Sequence, residues 1–433
     1  MTVVQLHAKT SGRGAAVAKG GVIAALDIGS TKISCLIAEA TSLEPGALRV
    51  LGVGHQLSRG VRCGSVVNVD EAECAIRLAV DAAERMAQCR ISEVYVNVSG
   101  GRPQSRLYAA SLPTQMGQVS PRDMEKLFNS AVSQVDPKGR RILHLSPVQY
   151  HLDDARGIAA PLGMYGANLS IELSAVTVEP AHLNNLSLAI ERAHLATAGF
   201  IIAPYAAAKS VLAEDEFSLG VSLIDMGGAT TSFAIFHEGK LVFSDVVPLG
   251  GQHVTNDIAR GLSTSLAHAE RMKTLWGSAL ASQVDESEMI AVPVLGESGS
   301  DTVQKVPKSM LAGIIRPRLE EIFELVRDRL QACDAAHFAG RRVVLTGGAS
   351  QLTGAREVAS QWLDRQVRLG LPAPMPGLPE SALHGGFAVS AGMLKYALRP
   401  DIHEALPRQK ACQTGYGQQG YMRKMSRWIA ESF

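Results

Sequence analysis

The sequence lacks three features that would assign it at once to a broad class of protein. No apolar run reaches the ~20 residues that a membrane-spanning helix needs. The six cysteines are scattered without a Cys-x-x-Cys pair or a His/Cys cluster of zinc spacing, so neither a disulfide framework nor a zinc site is predicted. No charge of one sign dominates, because 42 Lys and Arg face 41 Asp and Glu. The formal net charge of +1 argues against a dedicated nucleic-acid-binding protein.

The start of the chain differs in composition from the rest. Residues 1–20 are polar, basic and glycine-rich, without the apolar segment of a secretory signal, so we expect a disordered arm on a cytoplasmic protein. The remaining chain can bury a core, since hydrophobic residues make up 46% of the 433 positions. At roughly 100–200 residues per domain, this length predicts two or three domains or subdomains.

An internal repeat is the most informative pattern in the chain. The segment DIGSTKIS begins at Asp27, the segment DMGGATTS begins at Asp225, and both read D-x-G-x-x-x-x-S between two apolar runs. Two apolar runs joined by a polar, glycine-containing turn predict a β-hairpin in each case. Because the match covers strand, turn and strand, it predicts two similar domains that each contribute one hairpin turn to a shared cleft.

The two turns carry the residue types that a phosphate and its metal ion need. Asp27 and Asp225 each stand where a strand turns, and a carboxylate there can hold Mg²⁺, usually through waters. Small residues after each aspartate expose backbone N–H groups that can cradle phosphate oxygens, and a lysine adds positive charge. The candidate turn residues are Gly29, Ser30, Thr31, Lys32, Gly227, Gly228, Ala229 and Thr230. Either motif alone is explained equally well as an ordinary hairpin with a glycine turn.

A third turn and a helical pair complete the candidate site. The sequence VVLTGGAS places Gly347, Gly348 and Ala349 between a strand and a helix, where the glycines let a purine and an α-phosphate approach the main chain. Glu270 and Lys273 are three residues apart on a predicted helix and share one face. Glu270 is a candidate for binding ribose hydroxyls, and the Lys273 stem for covering one face of adenine. A solvated ion pair is the alternative for these two residues.

Apolar periodicity and end signals predict several longer elements. Helices are expected over 69–89, 120–135, 181–198, 306–333, 355–369 and 384–398, with 253–335 largely helical. Strands are expected at 50–53, 94–98, 141–152 and 342–345. Between 102 and 178 the pattern changes and predicts a small α+β insertion.

The three turns, in this order and spacing, resemble the phosphate-1, phosphate-2 and adenosine motifs of the actin/sugar-kinase/chaperone ATPase superfamily. The segment IIAPYAAA from Ile201 resembles the first connecting helix of that fold, and residues 386–398 resemble the second. Within the superfamily the chain is most similar to the FtsA family of bacterial cell-division proteins, from about Val22 to Leu398 and again at the C-terminus. The specific segments are RILHLSPVQY from Arg141, residues 157–166, VLAEDE from Val211 and GGQHVTND from Gly250.

The resemblance implies an α/β, actin-like ATPase fold, with two similar α/β domains around a nucleotide cleft and an additional subdomain on each. It also implies ATP and Mg²⁺ as ligands, with Asp27 and Asp225 at the metal. The implied subdomains are 1A (21–102 and 179–213), an inserted 1C (103–178), 2A with the second connecting helix (214–251 and 340–399) and 2B (252–339). A flexible linker is expected over 400–419.

Departures from the superfamily motifs favour nucleotide binding without fast hydrolysis. Hydrolytic chaperone members resemble E-P-T-A-A-A in the first connecting helix, where this chain has Ala203 in place of Glu. The second phosphate motif usually reads D-x-G-G-G-T, and here Ala229 replaces the third glycine. No carboxylate or glutamine is evident for orienting an attacking water, and help of this kind is typically worth ~10²–10⁴-fold in rate. We therefore expect an ATP-binding switch with slow or negligible hydrolysis.

Residues 420–433 are predicted to form an amphipathic helix. At ~100° per residue the basic side chains Arg423, Lys424 and Arg427 gather on one side. The opposite face is aromatic and aliphatic and consists of Tyr421, Met422, Met425, Trp428, Ile429 and Phe433. A tethered helix with these two faces is typical of one that lies in a membrane interface containing anionic lipid. Docking of the helix onto its own protein is the alternative.

The resemblance implies a cell-division scaffold. Members of the FtsA family bind the FtsZ C-terminal tail through subdomain 2B, and the segment IRPRLEEI makes Arg318 the candidate for that acidic tail. The family polymerises into actin-like filaments on the cytoplasmic face of the inner membrane at the septum and recruits later division proteins. A small-molecule or sugar kinase of the same fold is the alternative function, and a chaperone-type ATPase is a third.

Overall fold

The structure is a computed structural model, which describes residues 20–42, 47–114, 117–135, 138–280, 286–294 and 303–398. The strands, in chain order, are β1 (Val22–Ile28), β2 (Lys32–Ala40), β3 (Leu48–Leu57), β4 (Val61–Arg62), β5 (Ser65–Val66), β6 (Glu93–Val98), β7 (Gln104–Pro113), β8 (Arg141–Leu152), β9 (Ala155–Ile158), β10 (Asn168–Val178), β11 (Ala196–Ile202), β12 (Val221–Met226), β13 (Thr231–His237), β14 (Lys240–Val247), β15 (Met289–Pro293), β16 (Val303–Pro307), β17 (Arg342–Thr346) and β18 (Gln366–Leu369). The α-helices are α1 (Val69–Ala87), α2 (Pro121–Gln134), α3 (Pro180–Arg192), α4 (Ala203–Val211), α5 (Glu214–Leu219), α6 (Gly251–Gly261), α7 (Leu266–Trp276), α8 (Ser309–Ala332), α9 (Ala355–Leu363) and α10 (Ala388–Leu398).

Two five-stranded sheets share one topology. The strand order is β3-β2-β1-β6-β11 in the first sheet and β14-β13-β12-β17-β18 in the second. In each sheet three consecutive strands pair antiparallel, and two later strands then extend the sheet in parallel from the first of them. Asp27 pairs with Ser34 across the first hairpin, and Asp225 pairs with Ser232 across the second. The D-x-G-x-x-x-x-S spacing is therefore the register of a β-hairpin that occurs twice.

Helices cover both faces of these sheets, so their central strands are almost wholly buried. Apart from Ser222 and the two aspartates, β1 and β12 consequently consist of apolar residues, without the alternation of a half-exposed strand. The helices α4 and α10 lie between the two sheets, where Ala207 and Leu394 share one core with Ala25 of β1 and Leu223 of β12. This shared core joins the two halves of the molecule behind the hairpin turns.

A smaller unit is inserted into the first half of the molecule. Its four-stranded sheet has the order β7-β10-β8-β9, and α2 packs against one face of that sheet. The helix α2 begins with a capping box, because the Ser120 side chain accepts from the Asp123 amide and the Asp123 carboxylate accepts from the Ser120 amide. The chain leaves the first sheet near Gly101 and returns at Glu179, whose amide donates to the Gly101 carbonyl at 3.0 Å.

Two predicted helices are wrong at their C-terminal ends. The helix expected over 181–198 ends at Arg192, His194 adopts a left-handed φ of 63°, and the strand β11 comes next. The helix expected over 355–369 ends at Leu363, where Asp364 adopts a φ of 50° and leads into β18. In both cases a short apolar run after a helix enters the sheet as a parallel strand, and periodicity alone cannot tell such a strand from more helix.

Further expectations need correction. The region 253–335, expected to be largely helical, also contains the antiparallel hairpin of β15 and β16 between α7 and α8, and the helix expected from residue 306 begins at Ser309. The helix expected from residue 384 begins at Ala388, after a 3-10 turn over Gly385–Phe387. The two hairpins at Asp27 and Asp225, the helix α2 and the strand β8 are confirmed.

Part of the predicted organisation lies outside the described residues. This applies to the N-terminal arm except for Gly20, to the linker over 400–419 and to the helix over 420–433. Within the described part of the chain, no helix combines the length and the apolar character that crossing a membrane requires.

Candidate nucleotide-binding cleft

The two hairpin turns have the same internal hydrogen bond. The Gly29 amide donates to the Lys32 carbonyl at 3.0 Å, and the Gly227 amide donates to the Thr230 carbonyl at 2.8 Å. These two amides therefore serve the turns themselves. Among the described residues, the turn amides that make no hydrogen bond to another backbone group are those of Ser30, Thr31, Gly228, Ala229 and Thr230. These amides are the donors that the two turns leave for an anion.

The two turns contact each other across the cleft. A Cβ atom on Gly228 would overlap Thr31 Cγ2 and lie 2.9 Å from Thr31 Oγ1, so only glycine fits between them. The second turn is also fixed from behind, because the amides of Gly251 and Gln252 at the start of α6 donate to the carbonyls of Gly227 and Gly228 at 3.0 and 2.6 Å. The phosphate-1 and phosphate-2 turns of the sequence prediction thus form one continuous surface.

Asp27 lies at the base of this surface and is buried. The Ser390 hydroxyl of α10 donates to Asp27 Oδ2 at 3.3 Å, and Ser390 Oγ lies 2.9 Å from Ser34 Oγ. Burial raises the pKa of Asp27 to about 6, although the Lys32 charge and the Ser390 hydrogen bond oppose the rise. The carboxylate is therefore largely ionised at neutral pH, but Lys32 and Ser390 do not fully offset the cost of burying its charge.

Asp225 stands close enough to Asp27 for the two charges to interact. Removal from solvent raises the pKa of Asp225 to about 7, and the negative charge of Asp27 adds to the rise. The third turn packs directly on this carboxylate, since Gly347 has a φ of 92° and a Cβ atom there would lie 2.5 Å from Asp225 Oδ1. Two carboxylates whose charges interact in a poorly solvated site are a chemical fit for a hard cation such as Mg²⁺.

The remaining ligands of such an ion would not come from protein carboxylates. Among the described residues, no group of three or more His, Cys, Asp or Glu side chains is arranged to hold a metal. Mg²⁺ ordinarily keeps several waters and binds one or two carboxylates together with substrate phosphates. The pair of Asp27 and Asp225 matches that ligand set.

Lys32 reaches from the first hairpin to the segment that precedes α10. Its Nζ donates to the Gly386 carbonyl at 2.6 Å and lies 3.3 Å from the centroid of the Phe387 ring. Burial lowers the pKa of Lys32 to about 8, against the opposing effect of Asp27. The lysine is thus a desolvated cation beside the two hairpin turns.

Glu270 and Lys273 form an ion pair, but one that is not simply solvated. Lys273 Nζ contacts Glu270 Oε2 at 2.7 Å, Thr255 Oγ1 at 2.9 Å and the Gly251 carbonyl at 3.1 Å. The Lys273 side chain is 16% exposed, whereas that of Glu270 is 54% exposed. The lysine therefore anchors α7 to the start of α6, and the glutamate keeps an accessible carboxylate.

The third turn combines a packed glycine with an open one. Gly348 is exposed, and a Cβ atom there would meet nothing within 4 Å, so its backbone borders free space. The Ala349 methyl group packs on Gly251, because a Cβ atom on that glycine would lie 2.9 Å from it. The second and third turns therefore meet at the start of α6, and the first turn joins them through the contact between Thr31 and Gly228.

Sequence reasoning missed four residues that shape this site. Asn97 is buried at the end of β6, and its Oδ1 accepts from the Ile28 amide at 2.7 Å, next to Asp27. Ser390 and Gly386 contact Asp27 and Lys32, and His384 Nδ1 accepts from the Gly386 amide at 3.1 Å. Burial, and then the charges of Lys32 and His55, lower the pKa of His384. The available signal was a single polar residue within an apolar segment, as at Asn97 and Ser390.

The remaining predicted residues lie elsewhere. Arg318 is on α8, where its guanidinium binds both carboxylate oxygens of Asp257 at 2.5 and 3.1 Å and also pairs with Glu321. These carboxylates raise the pKa of Arg318. The membrane-facing residues Tyr421, Met422, Met425, Trp428, Ile429 and Phe433 are outside the part of the chain that the structure describes.

Comparison with known proteins identifies the family. The model for cell division protein FtsA matches residues 222–392, and the model for the SHS2 domain inserted in FtsA matches residues 100–177. The cell division protein FtsA of Rhizobium meliloti (strain 1021) is 43% identical over 420 residues, which cover 95% of each chain. The chain belongs to the FtsA family. The FtsA of Escherichia coli (strain K12) is 30% identical over 419 residues, which cover 95% of this chain and 98% of that protein.

Solved structures show the fold of this FtsA family member. A chain of the PilM–PilN type IV pilus biogenesis complex aligns with a TM-score of 0.59 at 16% identity, over 87% of this chain and 99% of that one. MreB5 of Spiroplasma citri bound to ADP aligns with a TM-score of 0.50 at 13% identity, over 87% and 95% of the two chains. The predicted α/β, actin-like ATPase fold is confirmed.

Proposed function

We propose that the cleft between the two hairpin turns binds ATP with Mg²⁺. The observation that supports this most strongly is the arrangement of Asp27 and Asp225, two desolvated carboxylates at matching positions of duplicated hairpins. MreB5 of Spiroplasma citri, a structural neighbour, has been solved with ADP and with AMPPNP. The bound metal would neutralise the two carboxylates and the phosphate charge.

In this proposal each side chain and amide has a defined task. The amides of Ser30, Thr31, Gly228 and Ala229 donate to phosphate oxygens, and Lys32 exchanges the Gly386 carbonyl for a phosphate. Glu270 accepts from ribose hydroxyls, while the open backbone at Gly348 leaves room for the base and the α-phosphate. Lys273 holds α7 and Glu270 in place.

We propose that nucleotide acts as a switch and that hydrolysis is slow. Ala203 begins α4 at the position where chaperone-like members carry a glutamate, and its buried methyl group cannot orient a water. A phosphate-release assay on the purified chain tests this point. Rapid steady-state turnover, comparable with that of an efficient ATPase, would contradict it.

The biological role proposed here is that of a division scaffold. The ATP-bound chain assembles into actin-like filaments on the inner face of the cytoplasmic membrane at the septum, anchored by residues 420–433. It tethers FtsZ through the 252–339 region and recruits later division proteins. We divide the chain accordingly into 1A (21–102 and 179–213), 1C (103–178), 2A (214–251 and 340–399) and 2B (252–339).

Co-sedimentation with anionic liposomes tests the scaffold proposal, with and without ATP and a peptide of the FtsZ C-terminal tail. Removal of residues 422–433 should move the protein from the pellet to the supernatant. Asp225→Asn should abolish only the ATP-dependent part of sedimentation. An unchanged pellet after the truncation would contradict the membrane assignment.

Arg318 has a matched control on its own helix. Arg318→Ala should weaken peptide binding, since an acidic tail would compete for the guanidinium now held by Asp257. Arg316→Ala removes the same charge from α8, where Arg316 pairs with Glu320, and should leave peptide binding unchanged. Equal losses in both variants would leave only an unspecific effect of charge and would refute the role of Arg318.

A further inference from the structure

A shallow polar pocket lies in the inserted unit, near the start of β7 and the end of β10, and away from the nucleotide cleft. It is open to solvent and encloses only a small volume of about 30 Å³. Its polar lining consists of Gln104, Arg106, Tyr108, Lys138, Arg140 and Thr177. None of these residues takes part in the proposed nucleotide site, so the pocket requires its own explanation.

The strand register explains why a pocket forms there. Gln104, Arg106 and Tyr108 alternate along β7 and therefore point to one face of the sheet. Arg106 pairs across to Ala175 of β10, whose short side chain leaves space between the longer groups on either side. The intervening Ser105 points to the other face, where its hydroxyl donates to the Ser244 carbonyl of β14 at 2.7 Å. That contact fixes the face on which Arg106 lies.

Arg140 is positioned in the pocket by neutral acceptors. Its Nε donates to Thr177 Oγ1 at 3.2 Å, and one Nη group donates to the Thr177 carbonyl at 3.3 Å and to the Arg102 carbonyl. The other Nη group makes no hydrogen bond to a described residue. A guanidinium fixed in this way has lost little of its capacity to bind an anion, because no carboxylate neutralises it.

Positive charge predominates among the described residues that line the pocket. Among the described residues, neither Arg106 nor Arg140 has a carboxylate partner within 4 Å. The neighbouring Arg102 pairs only loosely with Glu179, at 3.6 Å, and its side chain is 87% exposed. Two guanidinium groups that converge on one concavity, with a threonine and a tyrosine beside them, are suited to a carboxylate or phosphate group.

We propose that this pocket binds an acidic side chain of an extended peptide segment from a partner protein. The pocket admits one small anionic group, and the side chains of β7 that line it are spaced ~6.8 Å apart along a straight strand. Alternate side chains of an extended peptide have the same spacing. A peptide with acidic residues at every second position therefore matches the line of Gln104, Arg106 and Tyr108. This proposal goes beyond nucleotide binding and does not depend on it.

Fluorescence anisotropy with the full chain tests the proposal. The probe is a labelled ten-residue peptide of alternating Glu and Ser, and its counterpart with Gln in place of Glu should not bind. Arg106→Gln should weaken binding on the order of tenfold, as expected for one charge-assisted contact, and Arg106→Glu should weaken it further. Arg140→Lys keeps the charge without the fork and should have an intermediate effect.

The matched control is Arg122→Gln, which removes the same charge from the exposed surface of α2 in the same inserted unit. Its affinity for the acidic peptide should equal that of the parent chain, and all variants should keep the parent melting temperature within a few degrees. Equal affinity of the parent and Arg106→Gln, or equal losses in Arg106→Gln and Arg122→Gln, would overturn the proposal. So would failure of the parent chain to bind the acidic peptide at millimolar concentration.

Two further arms identify the source of the anion. Inorganic phosphate should displace the peptide only at much higher concentration, because it makes a single contact. Tight displacement by phosphate would reassign the pocket to a free phosphate. Vesicles that contain anionic lipid should sediment Arg106→Gln and the parent chain equally, and a loss confined to Arg106→Gln would reassign the pocket to a lipid headgroup.

Discussion

Gly228 and Thr31 close the floor of the cleft from opposite halves of the molecule, with the backbone of one against the side chain of the other. The contact joins two turns that are 197 residues apart in sequence and belong to separate sheets. The spacing between the two turns, and with it the reach of their amides around a phosphate chain, therefore depends on one position without a side chain.

This contact predicts that a substitution at one of the two positions compensates for a substitution at the other in ATP binding. Gly228→Ala should push the turns apart and weaken ATP binding on the order of tenfold, since its methyl group would overlap Thr31 Cγ2. Thr31→Ala removes that methyl group and the hydroxyl without altering the Thr31 amide. The double variant should therefore recover most of the affinity in a calorimetric titration. A double variant no better than Gly228→Ala alone would show that the overlap does not cause the defect.

The two aspartates predict how proton exchange accompanies binding of Mg²⁺-ATP. A metal requires the ionised carboxylates, and the pKa values of Asp27 and Asp225 are raised to about 6 and about 7. Binding near pH 6.5 should release protons. Near pH 8 the sign should reverse, because the pKa of Lys32 is lowered to about 8 and phosphate favours the charged lysine. Affinity should accordingly rise between pH 5.5 and 7.5.

Calorimetry in buffers of different ionisation enthalpy measures this exchange directly. Asp225→Asn should lose most of the release at pH 6.5, and Lys32→Gln should lose the uptake at pH 8. ATP without Mg²⁺ serves as the reference for protons that the nucleotide itself exchanges. The same proton count at both pH values would contradict the assignment of these groups to the ligand.

The buried Asp27 also predicts a pH-dependent cost in stability of the ligand-free chain. Its pKa is raised from 3.8 to about 6 on folding. The protonated side chain therefore contributes its full stability below about pH 4, and that stability is lost as the pH rises through about 6 and the buried group ionises. Asp27→Asn should therefore be more stable than the parent at pH 8, by about 1–3 kcal/mol, and show little difference near pH 4. Urea denaturation at the two pH values measures this.

An exposed carboxylate provides the control for that measurement. Asp154→Asn removes one negative charge from the loop before β9 and should leave the difference between the two pH values unchanged. If Asp27→Asn were less stable than the parent at pH 8, the carboxylate would be better compensated by Lys32 and Ser390 than burial suggests.

The sequence was sufficient for features that are local in the chain. The spacing from Asp27 to Ser34 and from Asp225 to Ser232 could be interpreted from the sequence alone, because in each case it is the register of a single hairpin. Contacts between distant segments could not be predicted in this way. Ser390 reaches Asp27 across 363 residues, and its position as a polar residue in an apolar helix indicates a buried partner without indicating that the partner is Asp27.

The errors in secondary structure have a similar cause. The strands β11 and β18 are short apolar runs after a helix, and their membership of a sheet is decided by β6 and β17, which lie elsewhere in the chain. Lys273 was correctly placed beside Glu270 by helical spacing. Its bonds to α6 at Thr255 and Gly251 needed the tertiary packing of two helices.

Two helical glycines, one at the crossing of α4 and α10 and one on the open surface of α8, should have opposite effects on stability when replaced by alanine. Gly392 of α10 packs against α4 so closely that a Cβ atom would overlap the Ala206 carbonyl oxygen and lie 2.5 Å from its carbon. Gly313 of α8 has open space, with nothing within 4 Å of a Cβ atom. Gly313→Ala should raise the free energy of unfolding by about 0.5–1 kcal/mol, since alanine loses less backbone freedom on folding. Gly392→Ala should lower it by about 1–3 kcal/mol or more, because overpacking must separate the helices.

The same crossing links stability to the cleft. Ser390 lies two residues before Gly392 on α10, and a displaced helix would withdraw its hydroxyl from Asp27. Gly392→Ala should therefore also weaken Mg²⁺-ATP binding, whereas Gly313→Ala should not. Urea denaturation and calorimetric titration of the two variants measure both quantities. A destabilised Gly392→Ala protein with parental nucleotide affinity would show that the helix crossing supports the core without positioning Asp27.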